Sequence, residues 1–534
     1  MISAELVLAA VAGADLALQY GKRLVEAYQA FKEANDNVKT KILIVEEIWS
    51  RTAIQIEFVK RVASTLEYEH CRIHIEVFEM LKGKLMMAIT KIESVVKKSK
   101  PEKTPKIWIK RWKYLLIRET LEHTISELQQ WQRIFDPTWF LILRIGNKLI
   151  DSELSNTSLS TIVPRSSSSS STLLAAQKLR GILTSQSSVD THIFLPEDGL
   201  DWTSGSLIKY STTRTIQRTG SQKRFIFDSI ICDASIDVPC ARADAETLAK
   251  KLKQVDPGTF SLLSCHGLIK RKNRGTGHLA SIEVIFRLPT QQAQPTSLRH
   301  QFLQHSTFSL TRVLSIARQL AKAVSFVHTC EFVHKNIRPE TILVFPEPDS
   351  AFPSALGSAY LLGFDSFRSL NFRTLRSGDA AWERNLYRHP LRQGLWAHDD
   401  YVMQHDVYSL GVCLLELGLW ETFVCYEGDE YSDPDCKKVP SATLGLTLDA
   451  FDCNAKESLQ KAVKIKEQLV DIAGSRLPAR MGDRYTEVVI TCLTCLDAGN
   501  EDFGDEEDMR DEDGILIGIR FIEKVLFRLS EISF

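Results

Sequence analysis

The sequence lacks the marks of a secreted or membrane-spanning protein. Its first residues, Met1 to Glu5, contain no basic n-region, and the longest uncharged stretch that follows, Leu6 to Ala14, is too short to span a bilayer. Net charge is also nearly absent: the formal value is −1, so any electrostatic effect must come from local patches. We therefore expect a cytoplasmic protein, open to recruitment to a membrane, with no nucleic-acid partner.

Paired cysteines are lacking as well. Eleven cysteines, an odd number, are scattered through 534 residues, which fits reduced thiols better than a disulfide framework. The only close pair is Cys492 and Cys495, and no second pair stands at zinc-site spacing, so we expect both to pack between helices. The 44% of apolar and 25% of charged residues are ordinary for soluble proteins of about two to four domains at this length.

Residues 1–150 have the pattern of an all-α helical bundle. No Pro-Gly turn cluster occurs before Pro101, and apolar residues recur three or four positions apart. The stripe expected to face the core consists of Leu16, Tyr20, Leu24, Tyr28 and Phe31. Further helices are predicted at about 38–66, 73–96 and 107–133, the last ending near Pro137.

Residues 151–190 differ from both flanks in composition. Serine and threonine dominate, with an unbroken run from Ser166 to Ser171, which predicts a flexible linker. Two roles fit this composition, a plain tether and a segment that is phosphorylated.

Beyond residue 190 the pattern changes to short apolar runs. Strands are predicted at 224–232 and 281–288, with a helix at 241–254 between them. An amphipathic helix is predicted at 310–328, and mostly helical sequence follows to Phe534.

The segment from His334 to Leu343 reads His-Lys-Asn-Ile-Arg-Pro-Glu-Thr-Ile-Leu. It resembles the catalytic loop of protein kinases, His-Arg-Asp-Leu-x-x-x-Asn, whose aspartate accepts the substrate proton and whose asparagine holds magnesium. Asn336 and Thr341 stand at those two positions. Because an amide has no usable basicity near neutral pH, Asn336 cannot serve as a general base. We expect this segment, the His334 loop, to be kept for its shape.

Two downstream motifs extend the resemblance. The segment 405–416 resembles the kinase Asp-x-Trp-Ser-x-Gly helix, which implies that Asp406 ties down the backbone of the His334 loop. Where kinases carry Asp-Phe-Gly, this chain has Leu-Gly-Phe-Asp at 362–365, so Gly363 takes the place of the metal ligand. Asp365 follows too late to replace that ligand, and we expect it to accept hydrogen bonds from backbone or from Arg368.

The nucleotide-binding end of the kinase pattern is also degenerate. No Gly-x-Gly-x-x-Gly occurs between residues 190 and 235, and Ser-Gly-Ser at 204–206 is a poor remnant. If the strand at 224–228 corresponds to the one that presents the phosphate-binding lysine, Asp228 stands at the lysine position and would repel phosphate. A register shift of two residues would make Lys209 or Lys223 an alternative. Glu246, on the next helix, is interpreted as a surface charge.

The degenerate motifs resemble those of a filamentous-fungal group of kinase-like proteins. The matching segments are Phe-Val-His-Lys-Asn-Ile-Arg-Pro-Glu at 332–340, Gly-Phe-Asp at 363–365, Tyr-Arg-His-Pro-Leu at 387–391 and Leu-Pro-Ala-Arg-Met-Gly-Asp-Arg-Tyr at 477–485. In this group a HeLo-like helical domain, of prion-inhibition and propagation type, often precedes the kinase-like region. The segments 10–22 and 128–140 resemble such a domain. This resemblance implies a role in self/non-self recognition and programmed cell death, in which the N-terminal helix engages a membrane.

The resemblance implies a multidomain fold, an all-α helical bundle followed by a bilobal α+β protein kinase-like fold. We expect a HeLo-like bundle at 1–150, a linker at 151–190, a kinase-like N-lobe at 191–292 and a C-lobe at 293–534. None of the degenerate positions His334, Asn336, Thr341 and Asp365 is expected to be catalytic, and Asp406 is expected to be structural. No metal or cofactor is expected; ATP and magnesium would bind only to an active, divergent kinase.

A basic segment bears on membrane contact. Basic groups gain roughly 1 kcal/mol each near an anionic leaflet, and tryptophan favours the interface. Between residues 97 and 113, eight basic residues stand against one acid and are interleaved with tryptophans: Lys97, Lys98, Lys100, Lys103, Lys106, Lys110, Arg111 and Lys113. A solvated loop between helices has the same composition, and the apolar first turns of the chain are expected to be core in the resting state.

The function expected from these observations is a pseudokinase-regulated signalling or programmed-cell-death protein. Its helical domain would oligomerise or engage membrane, with protein partners or self-association through residues 1–150. Two alternatives stay open, an active divergent Ser/Thr kinase that binds ATP and a non-catalytic interaction scaffold. Nucleotide binding to residues 190–534 would separate an enzyme from a switch.

Overall fold

The computed structural model divides the chain into two compact units, Met1–Ser187 and Ser188–Phe534. The structure describes residues 4–29, 31, 36–97, 106–155, 173–174, 176–177, 179–181, 183, 193–232, 237–273, 275–289, 294–304, 308–346, 356–365, 367–369, 377–396, 400–427, 436–451, 457–504 and 515–534. Within these residues the first unit is helical and the second combines sheets with helices. The predicted order, an all-α region followed by an α+β region, is confirmed at this level.

The described helices of the first unit are α1 (Ala4–Gln29), α2 (Asp36–Val62), α3 (Tyr68–Lys97), α4 (Lys106–Leu141) and α5 (Lys148–Ser155). The fourth helix was predicted at about 107–133, ending near Pro137; the predicted end is too early, because α4 continues through this proline to Leu141. Proline removes one backbone hydrogen bond from a helix. Burial of the last turn outweighs this loss: Trp139 is fully buried, and its ring meets that of Phe58 edge-on at 5.6 Å.

The buried face of α1 consists largely of small residues. Leu24 and Tyr28 are buried as predicted, but Leu16 is 39% exposed, and Tyr20 and Phe31 are only half-buried. The other buried positions of this helix are Ala10, Ala14, Ala17 and Gly21. The predicted stripe is therefore correct at its C-terminal end and wrong at its N-terminal end.

Small residues on α1 allow its neighbours to approach closely. A Cβ atom at Gly21 would overlap the ring of Trp49, which lies on α2. Because α1 buries its small face, larger apolar side chains remain on the other side, and Leu8 is 67% exposed. The expectation that the first apolar turns form core is thus wrong for Leu8, whereas Leu6 and Val11 are half-buried.

The segment predicted as a linker, 151–190, is partly built into the helical unit. Helix α5 crosses the predicted boundary at residue 150. Further along, Arg180 is buried, its Nε donates to Asp151 at 2.7 Å, and its Nη1 donates to the carbonyl of Leu143 at 2.6 Å. The described part of this segment is thus anchored by buried polar contacts. The serine run at 166–171 lies outside the described residues.

The second unit begins with a five-stranded antiparallel sheet in the order β1-β2-β3-β5-β4. Its strands are β1 (Leu200–Leu207), β2 (Arg214–Arg218), β3 (Arg224–Ile231), β4 (Cys265–Lys272) and β5 (Leu279–Arg287). Helix α6 (Val238–Lys253) follows β3 and packs against β4. The predicted strands at 224–232 and 281–288 and the helix at 241–254 are confirmed within a few residues.

The two faces of this sheet differ. Phe225 and Phe227 of β3 lie on one face, which we call the outer face, in an apolar cluster that also contains Leu200, Ile216, Ile269 and Ile285. Because side chains alternate along a strand, Ile226 and Asp228 lie on the opposite, inner face. The outer and inner faces therefore present separate candidate sites.

Helices make up much of the remainder. They are α7 (Pro257–Phe260), α8 (Leu298–Leu303), α9 (Leu310–Thr329), α10 (Trp382–Asn385), α11 (Met403–Leu419), α12 (Ser458–Met481), α13 (Asp483–Leu493), α14 (Ile515–Phe521) and α15 (Arg528–Glu531), with a π-helical turn at Ile522–Phe527. The predicted helix at 310–328 corresponds to α9. Helix α11 is buried along its whole length, which explains its almost unbroken apolar sequence.

Short strands also occur after residue 293, where mostly helical structure was predicted. They are β6 (Thr296–Ser297), β7 (Phe332–Val333), β8 (Ile342–Phe345), β9 (Ser358–Leu361), β10 (Arg368–Ser369), β11 (Ser377–Asp379), β12 (Gly394–Trp396), β13 (Val424–Glu427) and β14 (Lys437–Pro440). They form small sheets, β6-β8-β9, β7-β10, β11-β12 and β13-β14. Strands of two to four residues carry too little periodicity to be recognised in sequence.

Candidate functional site

The backbone of the His334 loop is held by the carboxylate of Asp406, in the first turn of α11. Oδ2 accepts from the backbone N–H of His334 at 2.7 Å, and Oδ1 accepts from that of Lys335 at 2.9 Å. The Tyr401 hydroxyl donates to Oδ1 at 2.7 Å, and Nε2 of His328 lies 3.1 Å from Oδ2. Lys335 adopts a left-handed conformation, with φ of 65°, which is uncommon for a residue with a side chain. Asp406 thus stabilises a strained loop backbone.

Burial sets the protonation states of the His334 loop and of Asp406 in α11. Burial opposes ionisation of Asp406, but the hydrogen bonds from His328 and the loop backbone outweigh it and hold the pKa of Asp406 below its usual value. Burial lowers the pKa of His334 to about 4, and its ring lies 4.7 Å from that of Phe364. At neutral pH the loop therefore combines an ionised acceptor with a neutral imidazole.

The side-chain amide of Asn336 both donates and accepts hydrogen bonds. Nδ2 donates to Oδ1 of Asp365 at 2.7 Å and to the carbonyl of Gly363 at 3.3 Å, and Oδ1 accepts from Nε of Arg338 at 2.8 Å. A carboxylate at position 336 would have no donor for Asp365 and would repel it. The Asn336 side chain is therefore a donor to Asp365 that was not predicted; no side chain is described for Arg368, which was predicted as a donor.

Thr341 and Gly363 fit together sterically. The Thr341 hydroxyl donates to the carbonyl of Asn336 at 2.8 Å, and its side chain faces Gly363. A Cβ atom at Gly363 would lie 2.7 Å from Cβ of Thr341 and would overlap its methyl group. Gly363 also has a φ of 84°, which favours glycine. Position 363 thus has neither the space nor the backbone conformation for a side chain.

Asp228, on the inner face of β3, joins the sheet to this cluster. Its Oδ2 accepts from the backbone N–H of Gly363 at 2.8 Å and of Phe364 at 3.3 Å, and its Oδ1 accepts from the Thr213 hydroxyl at 2.7 Å. The side chain is 3% exposed. Burial raises the pKa of Asp228 to about 6; the hydrogen bond from Thr213 and the backbone donors oppose this, while the charge of Asp365 adds to it.

The turn between β1 and β2, at 208–213, contacts the same cluster. The Ser211 hydroxyl donates to the carbonyl of Glu340 at 2.6 Å, and both Ser211 and Thr213 are buried. The segment 204–206, which the sequence suggested as the remnant of a glycine-rich turn, lies instead within strand β1. This turn therefore docks onto the His334 loop through side chains that no motif identifies.

A buried ion cluster lies beside the loop. The guanidinium of Arg299, in α8, is fully buried and donates to Glu340 at 3.1 Å and to Glu416 at 2.7 Å. The Tyr387 hydroxyl donates to the second oxygen of Glu416 at 2.7 Å. Because the two carboxylates belong to the His334 loop and to α11, a single guanidinium ties three segments together.

This arrangement is suited to holding segments in place. Asn336 has no basicity, and the carboxylates of Asp228, Asp365 and Asp406 are each engaged by donors of this chain. In the part of the chain that the structure describes, no group of three or more His, Cys, Asp or Glu side chains is placed to hold a metal ion.

Other predicted residues lie away from this cluster. Glu246 pairs with Arg242 at 2.9 Å on the surface of α6, in agreement with its interpretation as a surface charge. Cys492 and Cys495 are both buried. The basic residues proposed to meet a membrane are not placed: Lys98, Lys100 and Lys103 lie outside the described residues, and no side chain is described for Lys97, Lys106, Lys110, Arg111 and Lys113.

Sequence reasoning missed the hydrogen bonds of Asp228. Its position suggested only that it would repel phosphate. A signal was present, since Asp228 follows Arg-Phe-Ile-Phe and precedes Ser-Ile-Ile, and an acid in such an apolar strand needs buried donors. The donors themselves, above all Thr213, carry no signal because hydroxyl residues are common in turns.

No protein-family model matches the chain, and a search of the curated proteins finds none that is similar to it.

Proposed function

We propose that this protein is a pseudokinase-regulated signalling or programmed-cell-death protein of self/non-self recognition. A HeLo-like helical region would oligomerise or engage membrane, and a bilobal kinase-like region, with lobes at 191–292 and 293–534, would act as a switch. The five-stranded sheet with helix α6, followed by a largely helical region, supports the kinase-like part of this proposal.

The observation that carries the proposal is the contact between Asp228 and the backbone of Gly363. In the kinase comparison these positions hold the phosphate-binding lysine and the metal-binding aspartate. Here a buried carboxylate accepts two backbone N–H groups, so an acid stands where the phosphate-binding lysine would be needed, and its negative charge would repel a phosphate. Loss of a general base alone lowers phosphoryl transfer by about 10²- to 10⁴-fold.

Nucleotide binding to the full chain tests the switch. We expect no shift in the unfolding temperature with ATP and magnesium and no transfer of radiolabel from ATP. The active-kinase alternative predicts transfer that is abolished in Asp365→Asn and retained in Asp449→Asn, an exposed aspartate outside the cluster. That pattern would overturn the pseudokinase proposal.

The first helix supports the membrane part of the proposal. Helix α1 is long and apolar enough, by length and composition, to cross a membrane, and 22% of its apolar 18-residue window is buried. Leu8 and Leu16 are exposed on it. An exposed apolar helix face gains free energy when it inserts into the interfacial region of a bilayer.

Vesicle leakage tests this part. We expect the full chain, or residues 1–187, to release dye from anionic vesicles, and Leu8→Ser to reduce release. The matched control is Leu43→Ser, because Leu43 is 46% exposed but lies on α2. Neutralising the basic residues between 97 and 113 should also reduce release. If the protein binds no vesicles of any lipid composition, the proposed membrane contact is wrong and the interaction scaffold is favoured.

A further inference from the structure

Positive charge gathers at one end of the outer sheet face. Strand pairing places these residues together: Phe225 of β3 lies opposite Arg287 of β5, and the backbone N–H of Arg218 donates to the carbonyl of Lys223 across the β2–β3 turn. At the same end, the N–H of Arg287 donates to the carbonyl of Ser264, just before β4. We call the following residues the sheet-edge cluster: Arg218, Lys223, Lys253, His266 and Arg287.

The two arginines of the cluster face away from Asp228. Arg287 shares the face of Phe225, its cross-strand neighbour, and Arg218 shares that of Ile216, two residues before it. Asp228 lies on the other face of the same sheet. An activity at the sheet-edge cluster is therefore independent of the proposed switch, and a test of one does not decide the other.

His266 is the centre of the cluster. Its ring stacks on that of Phe225, with centroids 4.8 Å apart and planes 4° from parallel. Nη2 of Arg287 lies 3.1 Å from Nδ1 of His266, and Nη1 lies 3.5 Å from the Ser264 hydroxyl. Because a guanidinium only donates, Nδ1 must accept, and the proton of the neutral ring is on Nε2. His266 therefore offers an N–H donor among cations.

The charges that act most on His266 are all positive. Burial and, after it, the positive charges of Arg287, Lys223, Arg218 and Lys253 together lower the pKa of His266 to about 4. The neighbouring Cys265 thiol also experiences Arg287 and Lys253. Within the described residues, none of the four cations forms an ion pair, although ion pairs are common elsewhere on this chain. Four cations gathered without counter-charges repel one another, and an anion would relieve this.

We infer that the sheet-edge cluster is a binding site for the dianionic group of a phosphate monoester. The Arg287 guanidinium and the ammonium groups supply charge-assisted donors, and Nε2–H of His266 supplies a neutral one, which suits a group with several acceptor oxygens and two negative charges. The exposed Arg218 and Lys223 leave the site open to solvent.

The phosphate group has two possible sources, a phosphoserine and a free phosphate. The chain itself supplies serines nearby in sequence. The carbonyl of Ile193 accepts from the N–H of Leu268 at 2.8 Å, two residues beyond His266 along β4, and Ser187 and Ser188 precede Ile193 by a few residues. The experiment therefore compares both sources.

The test is calorimetric titration of the full chain with three probes at low ionic strength: inorganic phosphate, a peptide of residues 183–192 phosphorylated at Ser188, and the same peptide unphosphorylated. Lys223→Gln and Arg287→Gln are each expected to weaken phosphate-group binding by about tenfold or more, the loss of one charge-assisted hydrogen bond. Lys437→Gln is the control, because Lys437 is exposed on the distant strand β14. In addition, the histidine Cε1 resonance of His266, assigned with His266→Gln, should titrate at higher pH when phosphate is bound.

The possible outcomes are distinct. Phosphopeptide binding that is lost in both variants supports the site with phosphoserine as its source. Binding of inorganic phosphate alone, with the same losses, supports it with a free anion as its source. The inference is overturned if no phosphate probe binds, if the unphosphorylated peptide binds equally well, or if Lys223→Gln, which alters an exposed side chain outside any strand, leaves binding unchanged.

Discussion

Replacement of Asp228 tests the central contact of the candidate site. In Asp228→Ala, the N–H groups of Gly363 and Phe364 and the hydroxyl of Thr213 lose their acceptor. An unsatisfied buried donor costs about 1–3 kcal/mol, so we expect the free energy of unfolding of the second unit to fall by about 2–5 kcal/mol. In Asp228→Asn, the amide oxygen still accepts from the backbone, and the amide nitrogen donates to Thr213, whose hydroxyl is free to rotate.

The pH dependence sharpens this test. The carboxyl of Asp228 ionises near 3.8 when unfolded but at about 6 when folded. Between these values only the folded state keeps the proton, so stability falls as the pH rises, by about 3 kcal/mol in total. Asn cannot ionise. Asp228→Asn should therefore equal the unaltered protein near pH 4 and exceed it by up to about 3 kcal/mol at pH 7.5.

The measurement is urea unfolding of the full chain at pH 4 and pH 7.5, followed by hydrogen exchange in peptides that contain strand β3. Asp228→Ala should be destabilised at both pH values. If Asp228→Asn is less stable than the unaltered protein at pH 7.5, the hydrogen bonds to the carboxylate outweigh its burial. The pKa of Asp228 would then lie below that of the unfolded chain, and our account of the site would be refuted.

Three further outcomes follow from buried groups. Gly21→Ala should lower the unfolding temperature of the helical unit and cost about 1–3 kcal/mol of its stability, because the new methyl group overlaps the Trp49 ring. Gly83→Ala, whose methyl group meets nothing within 4 Å, should raise the unfolding temperature. Equal shifts of the two variants in circular dichroism melts would contradict the contact. Arg299→Met should destabilise the second unit by about 3–5 kcal/mol in guanidinium unfolding, because two buried carboxylates lose their partner; a loss below about 1 kcal/mol would argue against the ion cluster. Burial lowers the pKa of His70 to about 4, so protonation of His70 should cost the helical unit about 3 kcal/mol as the pH falls from about 6.5 to about 4. Burial also lowers the pKa of the neighbouring His74, so in urea unfolding His70→Leu should reduce the acid loss by about 3 kcal/mol and leave the part that belongs to His74; an unchanged loss would contradict this account.

The long helices and strands were predicted from the periodicity of their apolar residues. The stretches around α2, α3, α6 and α9 have apolar residues at helical spacing for several turns, and β3 and β5 are long apolar runs, so tertiary packing agrees with the local pattern. Helix α4 departs from prediction because the signal of Pro137 is local, whereas the burial of Trp139 depends on the rest of the bundle. In the same way, the buried face of the N-terminal part of α1 was predicted wrongly, at Leu16, because large apolar residues normally mark the core, whereas Leu24 and Tyr28 are buried as predicted.

The candidate site was predictable in part. The catalytic-loop resemblance singled out Asn336, Thr341, Asp365 and Asp406, and the structure brings all four together around residues 334–341 and 363. The contact of Asp406 with the backbone of the His334 loop was also expected from the resemblance. The hydrogen bond between Asp228 and Gly363 was not predictable, because a contact between residues more than a hundred positions apart leaves no spacing pattern. The sheet-edge cluster depends on strand pairing and was invisible for the same reason.

The steric match between Thr341 and Gly363 restricts the order in which this site could change. A carboxylate at position 363 requires first that the methyl group of Thr341 be removed, since the two side chains claim the same volume. Any side chain at 363 must also adopt the left-handed backbone or shift the hydrogen bonds to Asp228. A single substitution that places a carboxylate at position 363 would therefore disturb the fold. Conversion of this site to metal binding therefore requires at least two substitutions, and the change at Thr341 must come before the change at Gly363.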